Sequence, residues 1–164
     1  MTRWLTHDQQ RYWRAYIAAS TLLDERLSRE LQVAHGITMA DYEILVRLSE
    51  ASGRRLRMSQ LAEFTLASRS RLSHQVDRLE KAGLVERTPC AEDRRGANAV
   101  LTEQGWTLLV AAAPTHVEGV REHLVDQLSD EQFAELGNAL AVVAQHLQAM
   151  EPDCETREAG ALTD

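Results

Sequence analysis

The stretch of the chain best equipped for chemistry runs from Ser68 to Lys81, SRSRLSHQVDRLEK. At 100° per residue, Leu72, Val76 and Leu79 fall on one side of a helix and Ser70, Arg71, His74, Asp77, Arg78 and Lys81 on the other. That second face is hydrogen-bonding and net basic. Arginine pairs bidentately with guanine, while serine and histidine serve bases or phosphates. With Ser68 as N-cap, Arg69, Ser70, Arg71, Ser73 and His74 occupy the first turns, the part of a recognition helix that enters a major groove. Leu61 and Ala62 ahead of it, and Leu66 in the turn between, supply the apolar brackets of a helix-turn-helix. Arg and Ser on a helix face are also the ordinary composition of a solvated surface. The neighbourhood separates the two readings, because Arg54, Arg55, Arg57, Arg87, Arg94 and Arg95 collect beside the same segment.

Charge along the chain supports this. The 164 residues carry a formal net charge of -7, which argues against a nucleic-acid partner when taken whole. Residues 54 to 95, however, hold ten basic against six acidic side chains, and residues 96 to 164 hold two against twelve. The middle of an acidic protein is basic. Hydrophobic residues at 44% and charged residues at 26% place the chain among globular proteins and exclude a disordered or low-complexity class. Two cysteines, Cys90 and Cys154, are too few and too far apart for a disulfide framework or a metal knuckle. No nucleophile elbow, Gly-rich phosphate loop or HExxH stands in the sequence, so an enzyme is not expected. No run is long enough for a membrane span and the N-terminus lacks a signal-peptide plan, so a cytoplasmic location is expected.

The elements that must position the basic face are mostly helical. Thr6 with Gln9 forms a capping box, and the stripe Trp13, Tyr16, Ile17, Ser20, Leu23, Leu27 and Leu31 runs to a left-handed stop at Gly36. A second helix starts at Thr38, with Asp41 in its first turn, carries Tyr42, Leu45 and Leu48, and ends near Ser52-Gly53. Two short helices follow, Met58 to Phe64 and about Ser68 to Lys81. Leu84 to Thr88 and Asn98 to Leu101 read as two strands of a hairpin. Thr102 caps a helix whose apolar spacing continues to Leu128, with a kink expected at Pro114. Ser129 and Gln132 cap a last helix bearing Phe133, Leu136, Leu140, Val143 and Leu147, and periodicity is lost from Glu151 on. The expected fold class is mainly α with a small β-hairpin wing: a winged helix-turn-helix flanked by long N- and C-terminal helices.

The motifs Asp77-Arg78-Leu79-Glu80-Lys81-Ala82-Gly83-Leu84-Val85, Asp93-Arg94-Arg95-Gly96 and Leu101-Thr102-Glu103-Gln104-Gly105 resemble those of the MarR family of bacterial transcription regulators. The likeness in order and length spans residues 6 to about 149 and is specific in residues 58 to 105. It implies that Arg95 is the wing arginine entering the minor groove, that Asp93 fixes it, and that Arg94 holds a phosphate. A narrow minor groove concentrates negative potential and suits a guanidinium. The hairpin pair Asp93 with Arg94 or Arg95 also reads as an ordinary surface ion pair. The resemblance further implies one MarR-type domain with a dimerisation helix at residues 1–36, a DNA-binding lobe at 37–101, dimerisation helices at 102–150 and a flexible tail at 151–164. From it follow a homodimer, a palindromic double-stranded DNA operator and, most simply, repression of nearby genes.

The DNA-contacting set expected is Arg57, Ser68, Arg69, Ser70, Arg71, Ser73, His74, Arg78, Asp93, Arg94 and Arg95. The family resemblance also implies a small aromatic or anionic effector between the long helices and the lobe. The candidates for it are Trp13, Tyr16, Met39, Tyr42, Trp106, Leu109 and Ala113. Aromatics at helical spacing are equally the makings of a core or a dimer seam. No cofactor and no metal site is expected, since His116 and His123 are seven apart and His7, His35 and His146 are scattered. Zinc sensing on the same fold, and a helical protein-interaction module without DNA binding, are the alternatives. Cys90 reads as a small residue in a turn.

Overall fold

A computed structural model describes residues 1–65, 67–90 and 96–150 of the chain. A first compact unit spans Met1–Leu124 and a second begins at Val125. The first holds α1 (His7–His35), α2 (Met39–Glu50), β1 (Arg55–Arg57), α3 (Met58–Phe64), α4 (Arg69–Lys81), β2 (Val85–Pro89), β3 (Ala97–Leu101) and α5 (Glu103–His123). The second holds α6 (Asp130–Met150). The fold class is the one expected from the sequence.

Local signals set most of the boundaries. Thr6 and Gln9 exchange backbone and side-chain hydrogen bonds at the start of α1, and Gly36 (φ 73°) stops it by donating its N–H to the Gln32 carbonyl. Thr38 and Asp41 form the same reciprocal box on α2. Ser129 and Gln132 do so on α6.

Several elements differ from expectation. The hairpin is the larger part of a three-stranded antiparallel sheet in the order β1-β3-β2, with Leu56 and Arg87 both opposite Ala99. The added strand, Arg55–Arg57, is three residues of Arg-Leu-Arg and has no propensity signal to betray it. The helix opened by Thr102 stops at His123 rather than Leu128, because Leu124 leaves the helical region (φ -133°, ψ -62°) and Val125–Gln127 form a 3-10 turn. Strand β3 starts at Ala97, one residue earlier than expected, and β2 is Val85–Pro89 against an expected Leu84 to Thr88. Pro114 lies within α5, which runs on through it. Leu66 and residues 151–164, for which a turn bracket and a frayed tail are expected, lie outside the described residues.

The core of the first unit gathers side chains from every one of its helices. Leu31 comes from α1, Ile44, Leu45 and Leu48 from α2, Leu61 from α3, Leu72, Val76 and Leu79 from α4, and Leu109 and Ala112 from α5. The sheet adds Val85, Ala99 and Leu101. Each large apolar side chain so buried contributes about 1.5–3 kcal/mol. Helix α1 enters this core through Leu31, with Leu27 buried one turn earlier; its first half leaves Trp13, Tyr16 and Ile17 exposed. Helix α6 buries no residue and presents Phe133, Leu140, Val143 and Leu147 to solvent.

One junction is unusually tight. Gly83 (φ 71°) ends α4, the Leu84 N–H returns to the Leu79 carbonyl, and Thr102 donates its N–H to the Leu84 carbonyl at 3.1 Å. The Thr102 hydroxyl donates to the Gly83 carbonyl at 2.7 Å and caps α5 by accepting from the Gly105 N–H at 2.9 Å. A Cβ on Gly105 would fall on the Leu84 carbonyl oxygen and stand 2.7 Å from Leu101 Cδ1. This is the physical reason for glycine in the Leu-Thr-x-x-Gly motif. Gly105→Ala is therefore expected to destabilise the unit by about 1–3 kcal/mol through overpacking, read as a lowered denaturation midpoint.

His116 on α5 packs at a tilt against Tyr42 of α2 with ring centroids 4.6 Å apart, and its buried Nδ1 has no hydrogen-bond partner among the described residues. Burial holds its pKa below the ordinary 6.5, because the charged ring would lose its hydration. The unfolded chain thus binds the proton more readily, and the unit loses stability as pH falls through 6.5 toward the folded-state value. Urea titrations of the wild type and His116→Phe between pH 8 and 5 should show the acid-side loss reduced in the variant. An unchanged pH slope would place the effect elsewhere.

Candidate nucleic-acid interface

Helix α4 is held by its buried side and presents its polar side. Leu72, Val76 and Leu79, at spacings of four and three, sit against the core, and the Ser68 hydroxyl caps the helix by accepting from the Arg71 N–H at 3.3 Å. Ser68, Arg69, Ser70, Arg71, His74, Arg78 and Lys81 are exposed, as the helical periodicity requires. Ser73 is half-buried. Arg57 stands at the N-cap of α3, its backbone N–H donating to Gln60 Oε1 at 3.2 Å. Asp93, Arg94 and Arg95 lie outside the described residues; the hairpin root beneath them is closed by the Cys90 N–H on the Gly96 carbonyl at 3.0 Å. Cys90 is buried there, at 9% exposure.

Not every cation of the basic segment faces outward. Arg87, grouped by sequence with the residues beside the recognition helix, is turned inward. It donates to Asp77 and Glu80 carboxylates and to the Ser73 carbonyl at 3.0 Å, while its own N–H reaches Glu80 Oε1 at 3.0 Å. It ties β2 to α4 along two turns of the helix. Arg54, in the left-handed region at φ 52°, lies over the Trp106 ring at 4.2 Å and pairs with Glu103 at 2.9 Å, which fastens the entry to β1 onto the start of α5. Arg78 pairs with Asp41 at 2.7 Å. Asp41 is only 7% exposed and also accepts from the Thr38 N–H and hydroxyl, so the cap of α2 and the end of α4 share one carboxylate. The place of Asp41 in the first turn of α2 was legible in the sequence, but its pairing with Thr38 in a capping box and its use as the seat of Arg78 were not.

The seven effector candidates are dispersed. Trp13 and Tyr16 stack on each other at 5.8 Å on the exposed half of α1, at 55% and 47% exposure. Tyr42 and Leu109 are core residues at 7% and 6%. Trp106 packs on the core beneath Arg54, and Ala113 is half-buried on α5. Met39 alone of the seven borders the large groove of the first unit, a space of about 1030 Å³ between the C-terminal half of α1, the start of α2, and α4. Among the described residues no three His, Cys, Asp or Glu side chains converge in a metal-binding group. His123 is held by Glu30 at 2.8 Å and His35 lies 2.9 Å from Thr115 Oγ1. No helix among the described residues is long and apolar enough to cross a membrane.

An α3-turn-α4 unit with a β2-β3 wing and a third strand before α3 defines a winged helix-turn-helix protein. The MarR family model matches residues 35–96. The regulator PecS of Dickeya dadantii is 30% identical over 129 residues, covering 78% of this chain and 76% of PecS. The crystal structure of AbsC, a MarR family transcriptional regulator of Streptomyces coelicolor, superposes with a TM-score of 0.84 at 50% identity, covering 90% of this chain and 99% of AbsC. That of Sco3205 from the same organism, solved in complex with DNA, gives 0.88 at 46% identity over 93% and 96% of the two chains. The chain belongs to the MarR family of transcriptional regulators.

Arg87→Ala leaves two carboxylates and a carbonyl without their donor. It should cost about 1–3 kcal/mol of stability, less whatever solvent recovers at this partly exposed site. A cost below experimental error would show that the cation is dispensable between wing and helix.

Proposed function

We propose that the chain is a homodimeric DNA-binding regulator that represses nearby genes and releases its operator when a small ligand binds. The observation that carries this is the outward face of α4, where Arg71 and His74 stand exposed on a capped helix while Arg78 and Arg87 are consumed in fixing its position. Spending Arg54, Arg78 and Arg87 on positioning is sensible when the helix must be presented at a defined angle. The relative Sco3205, solved with DNA, supports the reading.

In this reading Arg69, Ser70, Arg71 and His74 address base edges and phosphates in the major groove, with Ser68 and Ser73 at the helix start and Arg57 at the adjoining cap of α3. Arg78 holds the end of α4, and Asp93, Arg94 and Arg95 serve the minor groove beside it. The exposed apolar stripes, Trp13, Tyr16 and Ile17 on α1 and Phe133, Leu140, Val143 and Leu147 on α6, are surfaces for a second copy, since patches of this kind are otherwise an aggregation liability. Two-fold symmetry then calls for a palindromic operator with half-sites about one helical turn, roughly 34–36 Å, apart.

Gel-shift titration against fragments of its own upstream region should give saturable, salt-sensitive binding. Arg71→Ala and Arg95→Ala should each weaken it by about 1–3 kcal/mol at matched salt. Unchanged dissociation constants for both variants would remove the reading face from α4 and the wing.

A further inference from the structure

Among side chains only histidine ordinarily changes charge between about pH 5 and 8, with a pKa of about 6.5. Helix α4 carries one, His74, and it stands exposed within the reading face. Arg71 lies one turn before it and Arg78 one turn after, at spacings of three and four that share a helix face. The charges around His74 leave its proton without a partner in the fold. On its own helix Asp77 is taken by Arg87, and Arg78 by Asp41. Arg71 and Lys81 are exposed cations, which disfavour a further positive charge beside them. Asp24 of α1 and Glu43 of α2 line the same groove as His74, yet neither bonds to it, and Glu43 has Arg47 at 4.0 Å. Among the described residues no side chain makes a hydrogen bond or ion pair with the His74 ring.

DNA supplies the anion that the fold withholds. A helix in the major groove meets phosphate oxygens and base-edge acceptors such as guanine N7 and O6. Neutral imidazole has one N–H, and its second nitrogen turns a lone pair toward such acceptors. The imidazolium donates from both nitrogens and carries charge opposite to that of the phosphates. A polyanion therefore favours the charged ring, whereas Arg71 stays charged at every pH of interest and responds to none.

We propose that operator binding is coupled to the uptake of one proton by His74, which makes this residue a pH-dependent determinant of DNA affinity. The proton comes from solvent and adds to the unprotonated ring nitrogen. The proposal rests on the regulator reading above and adds a mode of control that needs no ligand. Affinity gained by proton uptake is greatest on the acid side of the histidine range and is lost as pH rises above it. The sign is opposite to that of His116, whose burial makes acid cost stability.

The test is a fluorescence-anisotropy titration of the full chain on labelled fragments of its own upstream DNA, at constant ionic strength, at pH 8 and at pH 6. A gain of about tenfold in proton affinity on DNA, modest for a histidine beside an opposite charge, tightens wild-type binding by about fivefold over that range. His74→Gln keeps a donor and an acceptor but cannot take the charge, and should flatten the response to less than about twofold. His74→Lys should be equally flat and should bind more tightly than His74→Gln at both pH values, because a fixed cation replaces the one that the proton creates. Urea denaturation at both pH values checks that the variants, altered at an exposed position, remain folded. A wild type whose affinity is indifferent to pH or weakens toward pH 6 would overturn the proton coupling. So would a His74→Gln variant that keeps the wild-type response, or a His74→Lys variant no tighter than His74→Gln. Failure of the wild type to bind any fragment at either pH would instead overturn the regulator reading, and the coupling with it.

Discussion

The Leu84 carbonyl is the point on which the rest of the structure depends. Helix α4 ends at Lys81 with Gly83 in the left-handed turn after it, β2 begins at Val85, β3 ends at Leu101 and α5 begins after Thr102, and the hydrogen bond from the Thr102 N–H to the Leu84 carbonyl joins these ends. The Thr102 N–H takes its oxygen, the Thr102 hydroxyl takes the neighbouring Gly83 carbonyl, and Gly105 lets the first turn of α5 pass against it. Local hydrogen bonding and the absence of one Cβ thus set the angle between the recognition helix, its wing and a long helix of the same unit. A side chain at 105 would force these elements apart before it disturbed any contact with DNA.

Charge serves two purposes on this frame. Arg87, Arg78 and Arg54 are held by carboxylates or an aromatic ring and tie α4 to β2, α4 to α2, and the approach to β1 to the start of α5. Arg71 and Lys81 remain directed at solvent and the groove. The net charge of -7 is therefore a poor guide to partners. Acidic side chains such as Asp41, Asp77 and Glu80 position the basic ones, and much of the remaining acidity lies C-terminal to the wing. Like charge away from a reading surface penalises wrong approaches to a polyanion.

What was legible in the sequence was what is encoded within three or four residues. Capping pairs such as Thr6 with Gln9 and Ser129 with Gln132, the stop at Gly36 and the buried triad of α4 all follow from local geometry. Strand β1 was hidden because Arg-Leu-Arg becomes a strand only by pairing with β3. The end of α5 was hidden because Leu124 and Leu128 continue the helical period past the true terminus. Arg71 and Arg87 are chemically identical in sequence, and only the fold shows that one has three acceptors within reach. Aromatic spacing likewise marked Trp13 and Tyr42 alike, yet one is exposed and the other buried.

In the proposed reading, α4 is presented to a groove of DNA by a frame in which Arg54, Arg78 and Arg87 are held by partners within the fold. The most direct measurement is a hydroxyl-radical footprint of the purified protein on its own upstream DNA. The account predicts two protected patches related by a dyad and separated by about one helical turn, roughly 10 base pairs, with protection lost at the same positions in Arg71→Ala. A single unpaired patch, or protection that is indifferent to Arg71, would contradict it.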